Sequence, residues 1–266
     1  MVSVSSIITM AVCALLGIAV PIALAWWLVK RHGARLSTIF IGAGVFIVFA
    51  LVLESLVHQL ILKGPHGPAI LGNIWYYALY GGLAAGIFEE TGRFLAMKYL
   101  MKNEPARALP GVAYGIGHGG AEMLLIFGVT MISNIVLSVM INTGSADTLI
   151  ATAPAEAQEQ VQAQFAQLQT ASAGTFLFGI WERVSALILQ ISLSILVWTA
   201  VRKGGKWLWL FPAAILLHAL VDGLAVILSK AVGYLAIESI VMGLAIAVAG
   251  LAWLVARKAF PKVAEE

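Results

Sequence analysis

The chain is organised as long, nearly unbroken runs of apolar residues separated by short clusters of charged residues. These runs lie near residues 5–29, 37–61, 73–100, 109–141, 173–201, 207–229 and 233–256. A helix needs about 20 apolar residues to cross the hydrocarbon core of a bilayer. The pattern therefore predicts an all-α, polytopic membrane helix bundle with about seven transmembrane helices. We expect it to form a single integral-membrane domain over residues 1–266.

The composition supports the same class of protein. Of the 266 residues, 61% are hydrophobic and 11% are charged, whereas roughly a quarter of the residues are charged in an ordinary soluble domain. This excludes a water-soluble globular protein, and we expect no separate soluble domain. The single cysteine, Cys13, excludes an internal disulfide and a metal site built on cysteines.

The basic residues are distributed unevenly between the two sides of the predicted bundle. Most of them fall in alternate connections or in the C-terminal segment: Lys30, Arg31, Arg35, Lys98, Lys102, Arg107, Arg202, Lys203, Lys206, Arg257, Lys258 and Lys262. Only Lys63 and Lys230 fall on the other side. Because cytoplasmic loops are enriched in Lys and Arg, we expect a cytoplasmic C-terminus and an N-terminus outside. This topology explains the basic residues without a nucleic-acid-binding surface.

One long polar connection, residues 143–172, lies outside the membrane on this topology. Within it Val161, Phe165 and Leu168 recur at helical spacing after Pro154, which predicts an amphipathic helix on the outer surface. Two interpretations of this helix stay open, a passive loop helix and a lid over a substrate.

Several ionisable residues lie within the predicted spans, where a charge at the bilayer centre costs about 2.5–3.5 kcal/mol on insertion scales. They are Glu54, Glu89, Glu90, Arg93, Glu122, Glu182, Arg183, Asp222 and Glu238, together with His118 and His218. Such groups usually mark a functional site that faces the interior of the bundle. The alternative is a structural network that joins helices.

Depth in the membrane separates most of these residues into two layers, because a helix rises about 1.5 Å per residue. The layer roughly 12–18 Å from the cytoplasmic side contains Glu89, Glu90, His118 and His218. The layer roughly 27–30 Å from that side contains Glu54, Glu182, Arg183 and Glu238. Adjacent Glu182 and Arg183 point in different directions on a helix, so we expect each of them to bond to another helix, with Glu54 or Glu238 as partners.

The segment Glu89-Glu90-Thr91-Gly92-Arg93 places one arginine a helical turn after two carboxylates. One arginine on the same helix neutralises one of them, since neighbouring side chains point about 100° apart. The remaining carboxylate is a candidate general base for water. The alternative for the pair is a structural clamp.

Two further helices each carry a histidine and an acid one turn apart, His118 with Glu122 and His218 with Asp222. These four side chains are of the types that zinc accepts, and a remaining glutamate would act on a bound water. Glycines on both sides of His118 leave room for a backbone or a substrate to approach closely.

Three motifs in chain order resemble the superfamily of CAAX-processing and bacteriocin-processing intramembrane proteases. They are Glu-Glu-x-x-Arg at 89–93, aromatic-x-x-x-His at 114–118 and His-x-x-x-Asp at 218–222. The run Gly-His-Gly-Gly-Ala-Glu at 117–122, with Glu-Arg at 182–183, is most similar to the YhfC branch of bacterial membrane peptidases. The resemblance spans residues 89–222, about half of the chain.

The resemblance implies a peptidase in a prokaryotic cell membrane that acts on a membrane-associated protein or peptide. Its site would lie within the bilayer and open towards the cytoplasmic half. By the same resemblance Glu89 or Glu90 activates the water and Arg93 holds the pair. His118 and His218 then stabilise the oxyanion or bind a metal such as zinc.

One position departs from this pattern. Members of the YhfC branch often carry a histidine after the Glu-Arg pair, where this chain has Gln190. The difference motivates an alternative function, a non-catalytic scaffold whose buried polar residues join helices and hold a partner membrane protein. A proton-coupled transporter is a third interpretation, since intramembrane acids and histidines also form proton relays. Zinc chemistry and metal-independent glutamate chemistry both stay open.

Overall fold

The computed structural model describes residues 1–152 and 154–261, apart from the side chain of Glu156. Lys262 lies outside the described residues. Within them the chain is helical and has no strand, which confirms the predicted all-α fold. The α-helices are α1 (Val4–His32), α2 (Leu36–Phe46), α3 (Ser55–Leu62), α4 (Gly67–Leu71), α5 (Ile74–Tyr99), α6 (Leu109–Glu122), α7 (Val129–Thr143), α8 (Ala146–Thr152), α9 (Ala155–Thr170), α10 (Ala173–Lys203), α11 (Leu210–Leu228) and α12 (Tyr234–Ala259).

Two of the long helical segments contain a stretch of π-helix, and a third begins with a 3-10 turn. The π-helical stretches are Ile47–Glu54, between α2 and α3, and Met123–Gly128, between α6 and α7. The 3-10 turn, Gly205–Trp209, leads into α11. Each π-helical stretch follows an α-helix and leads into the next one without an intervening loop.

Six helical segments in the described part of the chain are long and apolar enough to cross a membrane. They are Val4–His32, Leu36–Leu62, Leu109–Thr143, Ala173–Lys203, Gly205–Leu228 and Tyr234–Ala259. They lie within a few residues of six of the predicted spans. The remaining span, near 73–100, is the 26-residue helix α5, which carries the charged motif. A count of seven membrane spans and the orientation of the termini stay predictions.

The polar connection between α7 and α10 contains α8 and α9. In α9, Phe165 and Leu168 are buried, Val161 is half-buried and their neighbours are mostly exposed. The helix is therefore amphipathic, with its apolar side chains turned away from solvent. Its position outside the membrane and its role stay predictions.

The chain divides into two compact units, one of which consists of Met1–Val20 and Met123–Arg183. Buried apolar side chains from its first helix and from the later segments share one core, among them Met10, Phe127 and Phe176. The start of the chain is held by Asn142, which accepts a hydrogen bond from the backbone amide of Val2 at 2.7 Å and donates one to its carbonyl at 2.9 Å.

Glu182 and Arg183 form an ion pair with each other, so the expectation that adjacent residues would not pair is wrong. Their Cβ atoms do point in different directions on the helix. However, both side chains are long and have several rotatable bonds, and that of Glu182 is half-exposed. The charged ends are therefore free to curve together.

The other unit consists of Pro21–Glu122 and the residues from Val184 onward. Its core is centred on the C-terminal half of α10, where four consecutive or nearly consecutive apolar side chains are completely buried: Leu193, Leu196, Val197 and Trp198. This unit contains all the residues of the predicted cytoplasmic-side layer. That the whole chain is one domain stays a prediction.

Two helix crossings in this unit depend on glycine. A Cβ atom added to Gly117 of α6 would lie 1.9 Å from the carbonyl oxygen of Ile39 in α2, and one added to Gly82 of α5 would lie 2.4 Å from that of Ala219 in α11. Real Cβ atoms do not come this close to a backbone oxygen. Glycine thus lets the paired helices meet at backbone contact, which sets where their polar side chains lie.

Candidate active site

The structure brings together the charged motif of α5 and the two histidines that the sequence places at a similar depth. Glu89, Glu90 and Arg93 lie on α5, His118 lies on α6 and His218 lies on α11. All five side chains are buried. We refer to these five residues as the Glu–His cluster.

Each glutamate of the cluster has its own histidine, which comes from a different helix. Nε2 of His118 lies 2.8 Å from Oε2 of Glu89, and Nδ1 of His218 lies 2.9 Å from Oε1 of Glu90. Adjacent carboxylates on one helix diverge, and the structure places α6 and α11 so that each meets one of them. An imidazole N–H that donates to a buried carboxylate replaces part of the hydration that the charge loses.

Arg93 lies beside both carboxylates and is completely buried. Its Nη1 is 3.1 Å from Oε1 of Glu90, while its Nη2 is 4.0 Å from Oε2 of Glu89. The guanidinium therefore pairs chiefly with Glu90. One positive charge among two carboxylates leaves one negative charge uncompensated when both histidines are neutral. A buried, uncompensated charge is costly, so the cluster depends on its hydrogen bonds.

Gln190 of α10 completes this network at its centre. Its Nε2 donates to Oε2 of Glu89 at 2.8 Å and to Oε2 of Glu122 at 2.9 Å, and its Oε1 accepts from Nη2 of Arg93. The amide oxygen faces the cation and the amide nitrogen faces the acids, which is the orientation that the donors and acceptors require. Sequence reasoning noted Gln190 only as a departure from a family pattern.

The four residues proposed as metal ligands do not converge. Glu122 accepts from Gln190, while His118 faces Glu89. Nδ1 of His218 faces Glu90 and its Nε2 lies 3.5 Å from Oδ2 of Asp222, so its two nitrogens are engaged in different directions. Among the described residues, no three His, Cys, Asp or Glu side chains form a group that could hold a metal ion. As arranged here, these residues do not fit a metal.

Four side-chain atoms of the cluster are buried without a hydrogen-bond partner in the described part of the chain. They are Nδ1 of His118, Oε2 of Glu90, and Nε and Nη1 of Arg93, the last of which contacts Glu90 as an ion pair. The His118 ring is held in place by aromatic neighbours, stacked with Tyr114 at a centroid distance of 5.9 Å and edge-on to Phe46 at 5.3 Å. The aromatic-x-x-x-His motif therefore orients the imidazole.

Sequence reasoning missed two polar residues outside the Glu–His cluster, His58 and Tyr80. His58 of α3 contacts Glu54, one turn before it, and also Tyr80 of α5. The available signal was the four-residue spacing between Glu54 and His58 on one predicted helix, which permits direct contact. Tyr80 gave no such signal, because its contact depends on how α3 packs against α5.

Comparison with known proteins bears on the whole of this region. The sequence model of a family described as YhfC intramembrane metalloprotease matches residues 16–245. The membrane protein YhfC of Bacillus subtilis (strain 168) is 38% identical over 261 residues, which is 97% of this chain and 98% of the relative. No solved structure matches the chain. The family match includes every residue of the Glu–His cluster and Gln190.

Proposed function

This chain belongs to the YhfC intramembrane metalloprotease family, and on that premise we propose that it is an intramembrane endopeptidase. It would hydrolyse a peptide bond of a membrane-associated protein or peptide. The observation that carries the proposal is the pairing of two adjacent buried glutamates with histidines from two other helices. Such an arrangement provides a base, a donor for developing negative charge and a fixed geometry within a membrane protein.

Glu89 is the better candidate for the general base. Its side chain is 10% exposed, whereas that of Glu90 is completely buried and pairs with Arg93 at 3.1 Å. Water therefore has closer access to Glu89. In the proposed reaction Glu89 takes a proton from water as the water oxygen attacks the carbonyl carbon of the substrate. The proton then passes to the leaving nitrogen as the C–N bond breaks, so the carboxylate is regenerated.

The other members of the cluster support this step. Nε2 of His118 contacts Glu89, and we assign its Nδ1, which has no hydrogen-bond partner in the described part of the chain, to the oxyanion that forms on the substrate. Both nitrogens of His218 are engaged, by Glu90 and Asp222, so we assign His218 a positioning role. Arg93 holds the Glu90 carboxyl group in place through their buried contact at 3.1 Å.

The family description is consistent with a metal such as zinc. In the arrangement described above, however, the candidate donors contact one another and do not converge on a common point. The proposal therefore assigns the proton transfers to the side chains of this chain alone.

The test compares cleavage of a labelled, membrane-inserted model peptide by the wild type and by Glu89→Gln, with both proteins in lipid nanodiscs. Mass spectrometry identifies the products. Glutamine keeps the size and one acceptor of the side chain, so the fold should persist while the rate falls by about 10²–10⁴-fold. Glu159→Gln, at an exposed position of α9, is the matched control and should cleave normally.

Two results would count against the proposal in different ways. Normal cleavage by Glu89→Gln would remove Glu89 as the base. A wild type that is folded but cleaves no peptide, together with loss of folding in His118→Ala, would favour the scaffold interpretation.

A further inference from the structure

Glu54 is an acid that the proposed reaction does not use. It is the last residue of the π-helical stretch Ile47–Glu54 and the one buried residue in it. The apolar residues just before it, Leu51, Val52 and Leu53, are exposed. The π-helix thus turns a carboxylate inward and leaves its apolar neighbours outside. Stretches of π-helix inside α-helices often occur at functional sites.

A hydrogen-bonded row of three titratable side chains begins at this carboxylate. Oε1 of Glu54 lies 3.1 Å from Nε2 of His58, and Nδ1 of the same ring lies 2.7 Å from the hydroxyl oxygen of Tyr80. The rings of His58 and Tyr80 meet edge to face at 5.3 Å. Both imidazole nitrogens are therefore engaged, one towards a buried acid and the other towards a hydroxyl on another helix.

The row leads from an accessible side chain to a buried one. The side chain of His58 is 33% exposed and that of Glu54 is 11% exposed. Tyr80 is half-buried and precedes Glu89 by nine residues on α5, a separation of roughly 13 Å along the helix axis. The His58 and Tyr80 end of the row is therefore more exposed at the surface of the chain than the Glu54 end.

Glu54 interacts electrostatically with members of the Glu–His cluster. The titratable groups that face His58 are Glu54 on its own helical segment and Tyr80 of α5. Glu54 in turn interacts electrostatically with Glu89 of α5 and with His218 and Asp222 of α11. A proton gained or lost at Glu54 therefore changes the electric field at the groups proposed to carry the chemistry.

We propose that Tyr80, His58 and Glu54 form a proton relay that couples the Glu–His cluster to the water-accessible surface at His58 and Tyr80. In one transfer the Tyr80 hydroxyl passes its proton to Nδ1 of His58 and takes a proton from a hydronium ion. At the same time Nε2 of His58 passes its proton to Glu54. One proton leaves the water and one arrives on Glu54, while His58 changes only its tautomer.

The relay deepens the proposed function, because it sets the charge beside the proposed general base, Glu89. Only the claim that the transferred proton influences catalysis at Glu89 rests on the proposed function. The transfer itself takes place without a substrate and is measured without one.

The experiment follows deuteration of the Glu54 carboxyl group after the nanodisc-embedded protein is mixed with D₂O. Infrared spectroscopy detects the C=O stretch of the protonated acid, and loss of that band in Glu54→Gln assigns it. Tyr80→Phe keeps the ring and removes the hydroxyl, so the relay predicts deuteration slowed by about tenfold or more. Tyr77→Phe, at an exposed position on the same helix, is the matched control and should exchange at the wild-type rate.

His58→Gln provides a second measurement that does not depend on how well Tyr80→Phe folds, and it should also slow the exchange. A purely structural role gives the opposite result, because loosening the packing opens Glu54 to water and speeds its deuteration. Unchanged or faster exchange in both variants overturns the relay. So does the absence of a Glu54 band at every pH at which the protein is folded, because such a carboxylate is no proton acceptor.

These outcomes are independent of peptide cleavage. Slowed exchange in a protein that cleaves nothing supports the relay and counts against the peptidase. Peptide cleavage by the wild type, together with unchanged Glu54 exchange in Tyr80→Phe and His58→Gln, supports the peptidase and counts against the relay.

Discussion

Gln190 donates a hydrogen bond of 2.8 Å from its Nε2 to Oε2 of Glu89, across the interface between α10 and α5. The same amide accepts from Arg93 through its oxygen. One neutral side chain thus accepts a hydrogen bond from a buried cation and donates one to a buried anion. Because glutamine does not titrate, position 190 adds no charge to the Glu–His cluster at any pH.

Replacing Gln190 by leucine should destabilise the protein by about 1–3 kcal/mol, because it removes one partner each from buried Glu89 and Arg93. The midpoint of thermal unfolding in detergent measures the effect. Gln164→Leu, on the exposed face of α9, should leave the midpoint nearly unchanged. Equal midpoints in the wild type and Gln190→Leu would show that this amide does not hold the cluster together.

Replacing Arg93 by methionine should be more damaging still. It leaves completely buried Glu90 without its ion-pair partner, and breaking a buried pair in this way costs about 3–5 kcal/mol. The yield of monodisperse protein after purification should fall sharply. Arg93→Lys keeps the charge and should recover part of the yield, while Arg31→Met, at an exposed position, should purify normally. A well-folded Arg93→Met protein would contradict the assigned role.

Elemental analysis of protein purified without added metal should find no near-stoichiometric zinc that depends on His118 or His218. The reason is geometric, because the nitrogens of these rings that face acids are engaged with different residues and do not converge. Treatment with a chelator should then leave peptide cleavage unchanged. Zinc at about one ion per chain in the wild type, lost in both His118→Ala and His218→Ala, would show that the side chains rearrange around a metal.

Gly117→Ala should separate α6 from α2, since the new Cβ atom would lie 1.9 Å from the carbonyl oxygen of Ile39. Overpacking of this kind costs about 1–3 kcal/mol or more. Gly44→Ala is the matched control on α2, because nothing lies within 4 Å of the added atom. Comparison of the two unfolding midpoints in one detergent measures the difference. Similar midpoints would indicate that the helices part without cost.

The helices themselves were largely predictable from the sequence. Each apolar run is bounded by charged or polar residues, and the bilayer requires that its backbone be hydrogen-bonded internally, so run and helix coincide. A similar depth for Glu89, His118 and His218 was predicted from the constant rise of a helix. The structure brings these three residues into one cluster.

The pairing of side chains was not predictable in the same way. Which histidine meets Glu89 and which meets Glu90 depends on how α6 and α11 rotate against α5, and periodicity does not fix those rotations. Long side chains also reach positions that their Cβ directions do not indicate, as Glu182 and Arg183 show. The four-residue spacing of Glu54 and His58 could be read from the sequence. The end of the π-helical stretch at Glu54, directly before α3, could not.

The π-helical stretch Ile47–Glu54 also has a consequence for comparing relatives by alignment. A π-turn closes its hydrogen bond one residue later than an α-turn, so deleting a single residue there leaves room for an ordinary α-helix. Because the wider π-turns accommodate the extra residue, every later side chain of the same segment, as far as Leu62, would keep its direction relative to the residues before the stretch. Homologous sequences that carry a one-residue gap at this point should accordingly keep the acid and the imidazole at positions 54 and 58, whereas a gap in the preceding α-helix would rotate both side chains by about 100°.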